Sequence, residues 1–292
     1  MLNYIFSALF CLISLSASAQ TSPDVYLFEI KTTPTTLEIL SGKNISQNPK
    51  YDNQPSFYDD HTVLYSHTRD SLTTISAYDI KLDKNKVFTN ESSNGFFSPQ
   101  RLPESEAIVM VRQDSLGKQR MVLYDYNTAK FIKEVDSNQV GYFTFYNNDF
   151  FIASVLVPNQ MNLYSGHISK QNSKIIMNNV GRSLQKVPKS KSLSYTVVNE
   201  DQNLDLYVLD LSGDEPTSYF VCELPIGIQD YTWLDENRIL VGSGDSLFVY
   251  DLFGEPAWQF LVSLNKYQLT NITRISISPD GKHLALAAEP VE

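Results

Sequence analysis

The chain has 292 residues, of which 33 are acidic and 23 are basic, so its formal net charge is −10 at pH 7. This acidic balance argues against nucleic acids and anionic membranes as partners, because both attract a basic surface. Cys11 and Cys222 are the two cysteines.

The N-terminal segment predicts export. An apolar stretch from Ile5 to Leu15 precedes the small residues Ser16 to Ala19, a pattern typical of a secretory signal peptide that is cleaved after Ala19. The stretch is shorter than the roughly 20 residues of a membrane-spanning helix. We therefore expect a signal peptide over residues 1–19 and a periplasmic or secreted chain without a membrane span. Such a chain retains only Cys222 and forms no intrachain disulfide.

A five-residue strand signature recurs six times along the chain. The copies begin at Val25, Ile75, Met121, Leu163, Leu206 and Leu247, and five of the six end in an acidic residue. Neighbouring copies are 41 to 50 residues apart. Periods of about 40 to 50 residues are typical of propeller blades, with one blade for each repeat.

Each signature is accompanied by further strand-like runs. The clearest pair spans Ile275 to Ala288, where the Pro279-Asp-Gly281 turn joins two apolar runs and predicts a hairpin. A fourth run closes most repeats, as at Trp258 to Val262. Four strands in each repeat are the composition of a propeller blade.

The two ends of the chain supply complementary parts of one blade. Its outer strands are predicted at Val25–Ile30 and Thr36–Leu40, and its inner strands at Ile272–Ser278 and His283–Ala288. Pairing of these strands would close the ring and leave no open sheet edge between the ends. We therefore predict an all-β, six-bladed β-propeller with four-stranded antiparallel blades, in a single domain over residues 20–292.

The Ser278-Pro-Asp-Gly281 turn, the apolar strand before it and the Leu-Tyr-x-x-Asp type of third strand resemble the TolB-like, WD-type family of exported bacterial six-bladed propellers. The resemblance extends from Val25 to the C-terminus. TolB itself has an α/β domain before its propeller, and we expect this chain to lack that domain. The resemblance implies a periplasmic or secreted binding propeller.

Superposition of the hairpins predicts a ring of residues just before the first strand of each blade. The ring contains Gln54, Gly95, Gly141, Arg182, Asp230 and Arg274, and Asp52, Asn53, Asn94 and Gln229 lie beside it. Arginines bind planar anions in a bidentate fashion, so this ring suits a polar or carboxylate-bearing ligand. We predict binding by Gln54, Arg182, Asp230 and Arg274. The alternative is that these are polar strand-entry positions, with ion pairs such as those from Arg182 or Arg274 to Asp230.

Other polar clusters have competing interpretations. The basic run of Arg182, Lys186, Lys189 and Lys191 indicates either an acidic partner or a solvated hairpin end. The recurring Asp79, Asp125, Asp210 and Asp251 are expected to cap turns rather than to act in catalysis. The four histidines, His61, His67, His167 and His283, lack the spacing of metal ligands.

The sequence contains no motif of nucleophilic catalysis and no phosphate-binding loop. The leading hypothesis is an exported, monomeric, non-enzymatic propeller without a cofactor, which binds an envelope protein or peptide at one channel mouth. The alternative is a carbohydrate-binding or glycan-active propeller, because Tyr142, Tyr231 and Trp233 are expected near the same mouth.

Overall fold

The computed structural model describes residues 22–89 and 93–291. Six four-stranded antiparallel sheets form the blades of a β-propeller, as predicted. The proposed signal peptide lies outside the described residues, so it and the domain start at residue 20 stay predictions. No helix in the described part of the chain has the length and apolar character to span a membrane.

The strands follow the chain from the closing blade through blades 1 to 5 and back. The closing blade starts with β1 (Asp24–Thr32) and β2 (Leu37–Asn44). Blade 1 contains β3 (Asp52–Asp59), β4 (Thr62–Arg69), β5 (Leu72–Asp79) and β6 (Lys84–Val87). Blade 2 contains β7 (Gly95–Arg101), β8 (Ala107–Gln113), β9 (Gln119–Asp125) and β10 (Phe131–Asp136).

Blade 3 contains β11 (Val140–Phe145), β12 (Phe150–Val157), β13 (Gln160–His167) and β14 (Asn172–Met177). Blade 4 contains β15 (Val180–Lys186), β16 (Ser192–Val198), β17 (Leu204–Asp210) and β18 (Thr217–Glu223). Blade 5 contains β19 (Thr232–Trp233), β20 (Arg238–Ser243), β21 (Ser246–Asp251) and β22 (Gln259–Ser263). A 3-10 turn (Asn265–Tyr267) leads to β23 (Leu269–Ile277) and β24 (His283–Pro290), which complete the closing blade.

The ring closes as the sequence predicts. Strand β1 pairs antiparallel with β24, from Asp24 opposite Ala288 to Glu29 opposite His283. The sheet order is β2, β1, β24 and β23, so the N-terminal strands are the outer pair. Both ends of the chain therefore contribute to one sheet, and the closure satisfies backbone groups that would otherwise form open edges.

The apolar core lies between the faces of neighbouring blades. One buried cluster joins Leu64 and Ile75 of blade 1 to Phe96, Ile108 and Met110 of blade 2. Alternate residues of each strand point to opposite faces, so each blade contributes to the core on both of its sides. This packing holds the inner strands in fixed positions around the central channel.

The recurring aspartates cap turns, as predicted. The carboxylate of Asp79 accepts a hydrogen bond from the backbone N–H of Leu82, and Asp125 accepts bonds from the N–H and hydroxyl of Thr128. Asp210 and Asp251 likewise accept bonds from backbone N–H groups two residues later. These side chains stabilise the turns after the third strands.

Innermost strands are irregular near one mouth of the channel. We call this side, where each chain segment enters an innermost strand, the entry mouth. A register shift interrupts β15 between Val180 and Leu184, and another interrupts β23 between Thr270 and Arg274. Blade 5 departs further, because β19 has only two residues and the chain before it is a loop. Such irregularities redirect side chains from the sheet, here toward the channel.

Candidate functional site

Three of the predicted site residues meet at the entry mouth. Asp230 accepts hydrogen bonds from Arg182 Nε at 2.8 Å and from Arg274 Nη1 at 3.0 Å, through different carboxylate oxygens. A second nitrogen of Arg182, Nη2, lies 2.7 Å from Asp230 Oδ2 and also donates to the backbone oxygen of Thr273 at 3.0 Å. The predicted ion pairs are therefore present, and they join blades 4, 5 and the closing blade.

The local backbone explains this convergence. Arg182 lies inside the irregular segment of β15, and Arg274 lies at the end of the irregular segment of β23. Asp230 lies in the loop that precedes β19, two residues before the strand. The prediction that the six ring residues precede their first strands is wrong for all of them except Asp230, because the other inner strands begin earlier than the hydrophobic pattern indicates.

The cluster carries a net positive charge, because two guanidinium groups share one carboxylate. Burial opposes the charge of Arg274, but Asp230 and the hydroxyls of Tyr142 and Tyr51 outweigh it and raise the pKa of this arginine. The Arg274 guanidinium carbon lies 5.0 Å from the centre of the Tyr142 ring. Arg274 therefore stays charged and forms the fixed inner part of the cluster.

Arg182 is the more accessible arginine. Its side chain is 25% exposed, compared with 11% for Arg274. A guanidinium group has five N–H donors, and the Nη1 donors of Arg182 have no partner among residues 22–89 and 93–291. The structure thus fixes this side chain through Nε and Nη2 and leaves the Nη1 donors without a partner in the described part of the chain.

Gln54 has a different role from the arginines. Its side-chain oxygen accepts bonds from the Ser66 hydroxyl at 2.7 Å and from the Ser98 backbone N–H at 2.8 Å. Gln54 has a left-handed backbone with φ of 57°. Ser98 has a similar φ of 50°, and both residues precede a proline. Gln54 therefore links blades 1 and 2, and Ser98 rather than Gly95 is its counterpart in β7.

The remaining ring residues are divided between the mouth and the interior. Gln229 lines the mouth, whereas Asp52 is buried and lies 2.9 Å from His67 Nδ1. Asn53 accepts a bond from the backbone N–H of Gln54. Gly95 is the first residue of β7 and Gly141 the second residue of β11, and neither adds a side chain to the channel.

The expectation that Tyr231 and Trp233 lie at the mouth is wrong. Tyr231 is fully buried and Trp233 is 4% exposed. The Tyr231 hydroxyl and the Trp233 ring N–H both donate to the hydroxyl of Ser194, at 2.7 and 2.9 Å. These aromatic side chains pack between blades 4 and 5, where no ligand reaches them. Of the three aromatic residues, Tyr142 alone lies beside the arginine cluster.

The basic run does not form one patch. Arg182 lies at the entry mouth, whereas Lys186 and Lys189 lie toward the opposite side, at the end of β15 and beyond it. Lys186 donates to the backbone oxygen of Tyr146 at 2.8 Å, and Lys189 lies 3.1 Å from Glu236. The two lysines thus belong to a solvated hairpin end with local partners.

Histidines pair with single carboxylates in two blades. His67 contacts Asp52, and His167 Nδ1 lies 2.9 Å from Asp149. Within the described ranges, no group of three or more histidine, cysteine, aspartate or glutamate residues is arranged to hold a metal ion.

Three cavities surround Arg182. The central channel holds about 70 Å³ and is lined by Gln54, Arg182, Asp230 and Arg274 among others. A polar cavity of about 440 Å³ lies on the blade 5 side of the loop 226–229, and a more apolar cavity of about 490 Å³ lies on its blade 4 side. The flanking cavities are therefore much larger than the space inside the channel, so a ligand of ordinary size would bind in one of them.

Sequence reasoning missed Tyr51 and the apolar cavity. Tyr51 is 36% exposed and interacts electrostatically with Arg274, Arg182 and Asp230. Burial of its hydroxyl raises the pKa of Tyr51. Tyr51 precedes the predicted site residue Gln54 by three positions in the sequence, and this was the signal that could have identified it. The apolar cavity draws on four chain segments of blades 3 and 4 and on the loop before β19, and no local pattern marks such a combination.

Known proteins resemble this chain in fold. No protein-family model and no curated protein sequence matches it. A putative TolB from Agrobacterium tumefaciens has a TM-score of 0.69 at 10% identity, over 94% of this chain and 100% of that one. TolB from Acinetobacter baumannii has a TM-score of 0.58 at 11% identity, over 92% of this chain, which spans 65% of that protein.

An oligogalacturonate lyase from Vibrio parahaemolyticus also has the same fold, with a TM-score of 0.53 at 10% identity over 92% of each chain. Propellers with one architecture host unrelated functions. At these identities the comparisons show a TolB-like six-bladed fold, and the function has to be argued from the site.

Proposed function

We propose that this TolB-like six-bladed propeller is an exported, non-enzymatic protein that binds a protein or peptide partner at its entry mouth. The single observation that supports this most strongly is the state of Arg182. Its guanidinium group is held by Asp230 and Thr273, yet its Nη1 donors stay unpaired within the described part of the chain.

Rigid presentation is the proposed mechanism. The ring of blades fixes the backbone around Arg182, and Asp230 and Arg274 fix its side chain. A partner group that bonds to Nη1 would therefore order few additional rotamers, and the entropic cost of association is reduced. The net positive charge of the cluster favours an acidic or carboxylate-bearing segment of the partner.

The experiment is affinity capture from an envelope extract with the tagged protein. The variant Arg182→Gln removes the exposed donors but keeps the Arg274–Asp230 pair, so its fold should stay intact. Lys189→Gln removes a charge on the opposite side of the propeller and is the control. We expect mass spectrometry to show a protein captured by the wild type and by Lys189→Gln but lost with Arg182→Gln.

Capture of the same proteins by all three forms would rule out Arg182 as a partner-binding residue. Capture of no specific protein would shift the proposal to the second candidate below. Circular dichroism and urea unfolding of each variant confirm that any loss reflects binding.

The second candidate is binding or cleavage of an acidic glycan. Its support is the arginine cluster together with the similar fold of a protein named oligogalacturonate lyase. The carboxylate of Asp230 is already shared by two arginines, which disfavours its use as a free catalytic base. Calorimetric titration with oligogalacturonate and an assay for its cleavage distinguish binding from catalysis.

A further inference from the structure

The apolar cavity on the blade 4 side of the entry mouth, here called the blade 4 pocket, is bounded by residues of blades 3 and 4. Leu156, Met161, Val198 and Leu204 form its apolar wall, and each of these side chains is only partly buried. Ile228 covers it from the loop before β19. Its volume of about 490 Å³ lies in the range of small-ligand sites.

A positive charge lies at one end of this pocket. Arg182 lines both the pocket and the central channel, and its paired nitrogens face Asp230 and Thr273. The donors left over on Nη1 suit an oxygen anion, and a carboxylate matches a guanidinium group in geometry and charge. The pocket therefore combines an apolar wall with the unpaired Nη1 donors of a positively charged arginine. This combination is complementary to an apolar group that carries a carboxylate.

Amide side chains occupy the rim. Gln202 and Gln229 are exposed, and their side-chain amides have no hydrogen-bond partner among the described residues. Each amide offers both a donor and an acceptor, as a peptide backbone requires. A simple alkyl carboxylate has no groups that would use them, so the rim favours a peptide.

We infer that the blade 4 pocket binds the C-terminal end of a peptide chain, with its apolar last side chain against Met161 and Leu204 and its terminal carboxylate on Arg182. This inference rests on the proposed function and makes it specific. The partner would present a free C-terminus with a leucine- or phenylalanine-like last residue, while the preceding residues cross the rim at Gln202 and Gln229.

The test is fluorescence anisotropy with a labelled hexapeptide that ends in Leu-Phe, prepared as the free acid and as the C-terminal amide. We expect the wild-type protein to bind the acid at least tenfold more tightly than the amide. Arg182→Gln should abolish that difference, and Met161→Gln should weaken binding of the acid about tenfold.

Matched controls separate the pocket from general effects. Lys189→Gln controls for loss of a positive charge, and Leu116→Gln controls for loss of an apolar side chain, since Leu116 is 91% exposed in a loop of blade 2. Both controls should bind the acid like the wild type. Equal affinity for acid and amide, or loss of binding in the controls, would contradict the inference.

The outcomes also separate this inference from the proposed function. If the hexapeptide acid fails to bind but the affinity capture still shows a partner that depends on Arg182, the C-terminus assignment is wrong and the mouth remains a partner site. If octanoate binds in an Arg182-dependent manner and the peptide does not, the pocket binds an alkyl carboxylate, and its assignment to a peptide C-terminus is wrong. If neither capture nor peptide binding depends on Arg182, both proposals fail.

Discussion

Asp230 holds the side chains of both arginines in place at the entry mouth. Its side chain is 10% exposed, and both of its carboxylate oxygens face arginines. A buried carboxylate is stabilised only while its charge is compensated, so loss of a partner leaves an unfavourable charge in the protein. The two arginines differ in burial, and their contributions to stability should therefore differ.

Arg274→Gln should lower the free energy of unfolding by about 2 kcal/mol, because it removes the more buried partner of Asp230. Arg182→Gln should cost about 1 kcal/mol or less, since its side chain is more exposed. Urea unfolding measures both. Arg69→Gln is the control, because Arg69 is exposed and its side chain makes no hydrogen bond or ion pair in the described structure. An equal or larger loss for Arg182→Gln would contradict this order.

The candidate site was predictable in part. Arg182, Asp230 and Arg274 were identified because equivalent positions of a repeat converge on the axis of a ring. Gln54 has the same position in the repeat, but its left-handed backbone turns its side chain toward Ser98. Backbone conformation of this kind leaves no signal in spacing, so the sequence could not separate a ligand-facing side chain from a link between blades.

A second residue-scale prediction concerns acid stability. Asp149 accepts bonds from the backbone N–H of Ser169 at 2.7 Å and from His167 Nδ1 at 2.9 Å. These bonds lower the pKa of Asp149 from 3.8 to about 2. Because the folded-state pKa lies below the unfolded value, its stabilisation is complete above about pH 4 and is lost as the pH falls toward 2.

Asp149→Asn should therefore be less stable than the wild type at pH 5, and the difference in the free energy of unfolding should narrow as the pH falls from 4 toward 2. Urea unfolding across this range measures the difference. Asp214→Asn is the control, because Asp214 is exposed and its side chain has no partner in the described structure. A difference that stays constant with pH would exclude the Asp149 interactions as its source.

At the scale of the elements, one third strand departs from the others. Gly166 of β13 lies where β5, β9 and β21 have Tyr78, Tyr124 and Tyr250. Its partner on β12 is Phe151, whereas the partners of the tyrosines are Val63, Ile108 and Ile239. In blade 3 the aromatic member of the cross-strand pair is thus on the second strand rather than on the third.

Gly166→Ala should destabilise the protein by about 1 to 3 kcal/mol, because a Cβ there would overlap the Phe151 ring and lie 2.9 Å from the Asn172 backbone oxygen. Adding Phe151→Val should recover part of this loss, so the double variant is more stable than the sum of the single effects predicts. Gly213→Ala, with only one neighbour at 3.6 Å, is the neutral control. Additive effects at positions 166 and 151 would contradict direct contact.

The number and order of strands were predictable, and their ends were not. The Pro-Asp-Gly turn and the repeated third strand are local features, so the sequence carries them directly. The length of β19 depends instead on whether the residues before it pair with β20, and that segment forms a mouth loop that contains Asp230. Hydrophobic alternation does not distinguish a paired strand from a loop of similar composition.

At the scale of the whole molecule, stability depends on closure of the ring. Strands from opposite ends of the described chain meet at the β1–β24 pair, so closure requires contacts of the largest sequence separation among the strand pairs of the described structure. Such contacts cost the most chain entropy. A covalent link across this pair would remove that cost from the unfolded state and should stabilise the propeller more than a link within a single hairpin.

Glu29 and His283 are suitable for this test. They face each other across β1 and β24, and the adjacent Ile30 N–H donates to the Lys282 oxygen at 2.8 Å. They are therefore a non-hydrogen-bonded pair with Cα atoms about 4.5 Å apart, close enough for a disulfide. Cys222 should not interfere, because it is 4% exposed and burial, with a smaller effect of Asp205, raises its pKa to about 12.

The Glu29→Cys/His283→Cys variant should be more stable when oxidised than when reduced, by up to about 5 kcal/mol from loop entropy. The control is Thr68→Cys/Thr73→Cys across the β4–β5 hairpin, where the two hydroxyls lie 3.0 Å apart and the closed loop is short. It should gain about 2 kcal/mol. Urea unfolding of both forms measures the gains. Equal gains would mean that the ends already associate in the unfolded state, because a link between them would then remove little additional entropy.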